Sequence, residues 1–417
     1  MIGEAQLRAA VAALGQQVEA VIAMQPPSSS LRFVEPGTNL QSLVADVPAG
    51  TTLVLAPRFV HGGGLTLPRP VTLVGGRLLG AVIGAAPGIT FRGVAMDGTT
   101  NGQTILTVAD DCLVEDCTIT GSAIGQHRGV LVNAARVTIR RTPITNIWHS
   151  LDTQAIAGWD GTRDLLVEDC RLEASGENVI FGGDDPRTEA GIPQDITIRR
   201  CTMTKPLEWR ALVNCTNKNL FELKNAKRVL VEDCTMAYSW VDGQIGFGIV
   251  VTVRNQEGTA PYSTIEDVII RRTTVSHCAG GIQLLGTDYT HPSGLMKRVT
   301  FENVTVEDIN PEWGVNQRCV QLSSGAEDLA FVNCRFSGTS INTAMTFVSS
   351  RPVFTRFTVS GCTFPEGEYG IKGDEVGPFG RAVLEHYAPG YSWTNNRVVL
   401  NVPRPRAINW PAGTVLQ

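Results

Sequence analysis

The chain has few large rings and little charge. Aromatic residues make up 6% of its 417 positions and charged residues 18%, where about 25% charged is usual. Low charge does not mean disorder here, because hydrophobic residues reach 43% and can supply a core. No apolar run approaches the ~18 residues that a membrane helix needs, so no membrane span is expected. There is no basic excess either: the net charge is −5, which removes nucleic acid as the expected partner. Ten cysteines are present, but no C-x-x-C and no Cys/His cluster, so a zinc site is not expected. Residues 1–30 lack a basic n-region and a continuous apolar h-region, so they do not read as a signal peptide. Glycine is abundant, at 43 residues, yet without a three-residue period, which excludes collagen.

A short repeat dominates what is present. Two apolar residues flank any residue; a charged residue, a turn-like residue and then Cys, Thr or Val follow. It reads ITFRGV (89–94), LVEDC (113–117), VTIRRT (137–142), LLVEDC (165–170), ITIRRC (196–201), VLVEDC (229–234) and VIIRRT (268–273). VTFENV (299–304), LAFVNC (329–334) and FTVSGC (357–362) continue it. Period-two alternation is a strand signal. Further short strands lie between the motifs, as in NVIFGG (178–183) and GIVVTV (248–253). Length alone would suggest several domains. Short strands repeating every ~23–39 residues suggest instead one solenoid, each repeat a coil. The expected class is all-β, a single-stranded parallel β-helix of about ten to twelve coils, with a short N-terminal α-helix.

The charge within the motif alternates in sign: Arg92, Glu115, Arg140, Glu168, Arg199, Glu232, Arg271, Glu302. Stacked coils set such positions ~4.8 Å apart, where opposite charges attract and like charges repel. The order therefore predicts that each repeat lies directly on the next. Cys117, Cys170, Cys201, Cys234, Cys334 and Cys362 share one register and read as an inward ladder of free thiols.

The domain boundaries follow. Residues 1–30 hold a heptad-like helix (Leu7, Val11, Leu14, Val18, Val21) and a Pro/Ser linker; they are read as a cap, an attachment segment or an oligomerisation element. Residues 31–400 are the β-helix, and 401–417, with Pro403, Pro405 and Pro411, are an extended cap that does not continue a ladder easily.

The coils lengthen over 148–291, so loops project there, and loops on a rigid scaffold carry function. By alternation, Glu222 and Lys224 point outward from NLFELKN, and Arg254 points outward from GIVVTVRNQ on the next coil. Asn178, Asp184, Asp185, Asp242, Gln244, Asn255, Gln283 and Asp288 are expected to border the same face, with Trp209 and Trp240 as platforms for sugar rings. A lysine beside a cation can act as a base, while an arginine or a carboxylate-held calcium ion neutralises a substrate acid. A hydrolase instead needs two carboxylates, with Glu177, Asp184, Asp185, Glu222 and Asp242 as candidates. A cross-coil salt-bridge ladder without chemistry is the alternative for Glu222 and Lys224.

On its coil motif the chain resembles the right-handed parallel β-helix, or pectate-lyase-like, superfamily. SGENVIFGGDD (175–185), KNLFELKNAKRVLVEDC (218–234) and VDGQIGFGIVVTVRNQEG (241–258) look like segments of bacterial right-handed β-helix repeat proteins. Similarity to the chondroitinase B and alginate lyase family implies a Lys224 base, Arg254 on the next coil, and calcium held by Asn178 and Glu222. The chain departs from that pattern at Asn217-Lys218-Asn219, where the family carries glutamates, so no metal ligand set is assigned. The paired aspartates and downstream histidine of polygalacturonases are not visible. The N-terminal plan resembles that of phage tailspikes. It implies polysaccharide as partner, a virion or extracellular surface as location, and a homotrimer or attachment to a larger assembly through the N-terminal helix. A tailspike-like glycan binder that also cleaves, a secreted polysaccharide lyase or glycoside hydrolase, and a purely structural β-helix are the three expectations.

Overall fold

The computed structural model describes residues 30–99, 104–315, 317–349, 351–401 and 406–417. The expected helix within residues 3–24 lies outside them. Three parallel sheets of 14, 12 and 14 strands run the length of the chain. Each complete coil contributes one strand to each sheet, and neighbours in every sheet are successive coils. This is a parallel β-helix, as the repeat requires.

The repeat motif forms one 14-stranded sheet, the ladder sheet, and its register is direct. Glu115 stands opposite Arg92 and Arg140, Glu168 opposite Arg140 and Arg199, and Glu232 opposite Arg199 and Arg271. Arg92 and Arg140 lie 3.3 and 2.7 Å from Glu115. Arg199 lies 2.8 Å from Glu168, and Arg271 2.8 Å from Glu232. The turn-like residue after each charge adds a second ladder, because it too alternates. Asp116, Arg141, Asp169, Arg200, Asp233 and Arg272 all have positive φ, the left-handed corner that Asp and Asn enter more readily than most residues. Arg141 pairs with Asp116, Arg200 with Asp169 and Arg272 with Asp233, at 2.7, 2.8 and 2.7 Å. Each Arg thus bridges to the acid one coil back, which pins register on the outside.

The interior is filled by stacked Val, Ile, Leu and Cys. The six register cysteines are buried free thiols, and most donate Sγ–H to a carbonyl of their own or the preceding coil. Rings enter the core mainly toward the C-terminal end, where Phe301 stacks on Phe331 at 5.0 Å and Phe336 on Phe364 at 4.9 Å.

Two short helices, at Leu40–Asp46 and Arg381–Tyr387, were not expected. The first sits near the N-terminal end of the stack. It is capped by Asn39 and buries Leu40, Leu43 and Val44, which would otherwise be open solenoid core. The second buries Val383, Leu384 and Tyr387 near the other end. The C-terminal segment does continue a ladder briefly: Val415 and Leu416 pair with Arg397 and Val398. Pro411 lies before that pairing and does not obstruct it.

Candidate functional site

The 12-stranded sheet carries a groove. Its central strands are Gln154–Gly158, Glu177–Phe181, Phe221–Leu223, Phe247–Thr252 and Gly280–Leu285. Val179, Phe221, Ile249 and Ile282 stack inward as cross-coil partners. The intervening residues Ile180, Glu222, Val250 and Gln283 form the outward row. Two clefts open on this face. One, of about 510 Å³, is lined by Glu222, Lys224, Gln244, Arg254, Gln283, Asp288, Tyr289 and His291 among others. The second, about 240 Å³, is lined by Arg128, Asp152, Gln154, Trp159, Glu177, Asp184 and again Lys224. Lys224 therefore stands where the two meet, and the groove follows the solenoid axis across several coils.

Local sequence explains why Lys224 can stand there. Gly182 ends the preceding site strand with φ +83°, and a Cβ on it would sit 2.6 Å from the Asn225 nitrogen. Only glycine lets the Lys224–Asn225 turn lie flush on the coil below. The Lys224 N–H donates to the Phe181 carbonyl at 2.8 Å, and the Arg254 N–H to the Lys224 carbonyl at 2.9 Å. The three residues expected to act together, Lys224, Arg254 and Glu222, thus line one cleft.

Their electrostatics differ. Glu222 is only 2% exposed. Burial, reinforced by the nearby Glu177 carboxylate, pushes its carboxyl up to about 7. The Lys224 ammonium 3.9 Å away and a 2.6 Å hydrogen bond from Asn219 Nδ2 work against that rise. Glu177, 1% exposed, accepts from Gln154 Nε2 at 2.9 Å and lies 3.2 Å from Lys218 Nζ. Lys218 also bonds Asp152. Burial opposes the Asp152 charge most, but the Lys218 hydrogen bond and the charges of Lys218, Lys224 and Arg128 together outweigh it and hold that carboxyl below its usual range. Arg254 pairs with Asp288 at 3.5 Å and lies 4.6 Å from the centre of the Tyr289 ring. Arg128 lies 4.9 Å from the centre of the Trp159 ring.

Not every expected residue faces the groove. Gln244, Gln283 and Asp288 line the larger cleft and Asp184 the smaller. Asn178 does not: it is fully buried and donates to the Leu172 and Thr204 carbonyls inside the coil. Alternation would turn it outward; instead its amide NH2 is held by those two carbonyls, while its Oδ1 has no hydrogen-bond partner among the described residues. Asn255 is likewise buried, bonding the Pro292 carbonyl and the Ala260 N–H. Asp185 clamps the loop two coils on, accepting from the N–H groups of Gln256, Glu257 and Thr259 at 2.7, 3.2 and 2.9 Å. Asp242 accepts from the Asn217 N–H at 2.7 Å. Trp209 and Trp240 are no platforms: they are 4% and 7% exposed and pack with Trp313 in a small separate core. Loops from three coils meet there, and their indoles bury one another.

The sequence reading missed Arg128 and Gln154, which open strands of this sheet, and Asp152, Lys218, Tyr289 and His291, which lie between strands without a repeating signal. Among the described residues, no group of three or more His, Cys, Asp and Glu has the geometry to hold a metal ion. With Asn178 turned inward and Glu222 paired to Lys224, the set that the resemblance implies for calcium is not brought together. No described helix is long and apolar enough to cross a membrane.

Comparison with known proteins gives fold rather than sequence kinship. No family model matches the chain, and no curated protein matches it by sequence. Among solved structures, a polygalacturonase from Erwinia carotovora ssp. carotovora is similar with a TM-score of 0.53 at 12% identity, over 90% of this chain and 98% of that one. A tailspike protein mutant of E. coli bacteriophage HK620, in complex with a pentasaccharide, gives 0.54 at 12% identity, over 92% of this chain and 76% of that one. With three parallel sheets wound coil upon coil and these two structures as its likeness, the chain has the right-handed parallel β-helix fold.

Proposed function

We propose that this protein binds a polysaccharide along the groove of the 12-stranded sheet and cleaves it there by hydrolysis. The observation that carries the reading is Glu222: a buried carboxyl, pushed up to about 7, that borders an open cleft. Such a group keeps its proton near neutrality and can give it to a leaving glycosidic oxygen. Asp288, in the same cleft, is the second carboxylate, placed to activate water or stabilise the developing sugar cation. Lys224 and Arg254 orient the chain. Trp159 and Tyr289, one in each cleft, give faces for sugar rings. The polygalacturonase and the pentasaccharide-bound tailspike support a glycan as the ligand class. Action on a virion or other extracellular surface, as a homotrimer or attached through residues 1–30, belongs to the same reading. Sedimentation of the full chain and of a form lacking residues 1–30 tests that part; a monomer in both forms removes it.

A second reading rests on Lys224 and Arg254 sharing the cleft with adjoining backbones: β-elimination on a uronate polymer, with Lys224 as base. The two reactions leave different products. Hydrolysis of a polysaccharide panel yields saturated reducing ends, and elimination yields an unsaturated sugar with new ultraviolet absorbance. Absorbing product that is lost in Lys224→Ala and kept in Glu222→Gln would replace the first reading by the second.

A further inference from the structure

Behind the groove, inside the solenoid, lies a buried lysine that, among the described residues, has no carboxylate ion partner. Lys205 follows the strand Thr202–Thr204 and is 1% exposed. Its Nζ donates to the Ala174 and Ser175 carbonyls, both at 2.8 Å, and to the Gly176 carbonyl. These consecutive residues turn the coil below from the strand Arg171–Ala174 into the strand Glu177–Phe181. Three carbonyls converging on one point repel unless donors sit among them, and an ammonium supplies three. A space-filling role would be met by methionine without the penalty of burying a charge. Glu177 comes next in the chain, and its N–H is anchored to the Thr153 carbonyl at 2.9 Å. Its carboxylate faces the other way, into the smaller cleft.

We propose that Lys205 is a positioning residue: by gathering the carbonyls of residues 174–176 it fixes the corner that presents Glu177 to the groove. This rests on the groove being the glycan site, since only there does the state of Glu177 matter to Glu222. Burial lowers the Lys205 amine to about 7, with Glu177, Cys215 and Cys278 raising it and Lys218 lowering it further.

The test measures glycan cleavage and amide exchange in variants of the full chain. In Lys205→Met, kcat is expected to fall roughly tenfold at unchanged KM, with Lys205→Arg restoring it, and the amides of residues 175–177 are expected to exchange with solvent faster. If Lys205→Met does not fold, Lys205→Gln, which keeps a donor at the corner, takes its place in both measurements. A kcat and an exchange pattern that match the wild type overturn the proposal. A wild-type protein that cleaves no glycan, with the faster exchange present in the variant, instead removes the hydrolytic reading and leaves Lys205 as the support of the corner.

Discussion

Replacing Glu222 by glutamine removes a charge that the fold resists, and the size of that resistance can be worked out. The carboxyl moves from 4.5 to about 7 on folding, chiefly through burial. That is ~2.5 pH units at ~1.4 kcal/mol each, or about 3 kcal/mol. Because the folded value lies above the unfolded one, the protonated form is the one the fold favours. The associated stability is present in full below pH 4.5 and is lost as pH rises through about 7. Glutamine does not ionise, so Glu222→Gln gains on the wild type across that window. Urea unfolding of both proteins at pH 4.5 and pH 8 measures it, provided the slope with denaturant is unchanged. The variant should be stabilised, relative to the wild type, by about 3 kcal/mol more at the higher pH. A difference that is flat with pH would mean that Glu222 is solvated or firmly ionised, and the acid role assigned to it would fall.

Other outcomes follow from the same structure. Glu232→Arg sets a third cation against Arg271 and Arg272, which Glu232 now binds; the urea midpoint should drop, and by less in 1 M salt, where such pairs are screened. Phe331→Ala, at a fully buried ring between Phe301 and Phe357, should cost about 3–5 kcal/mol in unfolding free energy. Asp185→Ala frees the amides of Gln256, Glu257 and Thr259, which should then exchange with solvent faster while ladder-sheet amides keep their protection.

The stacking was legible because the solenoid has direct register. Arg140 can be read as a neighbour of Glu115 and Glu168 from sequence alone, since every coil repeats the same outward position and like charges there would repel. The second alternation, Asp116 to Arg272, was equally open to reading but was passed over as turn composition. Alternation also put Glu222, Lys224 and Arg254 on one face, because all three lie in or just beyond regular strands. It failed at Asn178, the second residue of the strand Glu177–Phe181, whose side chain turns inward to the Leu172 and Thr204 carbonyls. Trp209 and Trp240 were misread because loop tryptophans with polar neighbours look exposed in sequence; Trp313, about a hundred residues on, is what buries them. Lys218, Asp152 and Lys205 act through contacts between turns of different coils, which leave no period to detect. The short helix at Leu40–Asp46 follows a capping asparagine, a signal present in the sequence but too brief to stand out against the strand repeat.

The central claim is that the groove cleaves a glycan with Glu222 as proton donor. The direct measurement is the release of new reducing ends from a polysaccharide panel by the wild type and by Glu222→Gln, together with binding of the same polymers. The account predicts release that declines as pH rises through about 7, a loss of roughly a hundredfold or more in the variant, and binding that survives the substitution. A variant that releases reducing ends as fast as the wild type would contradict it.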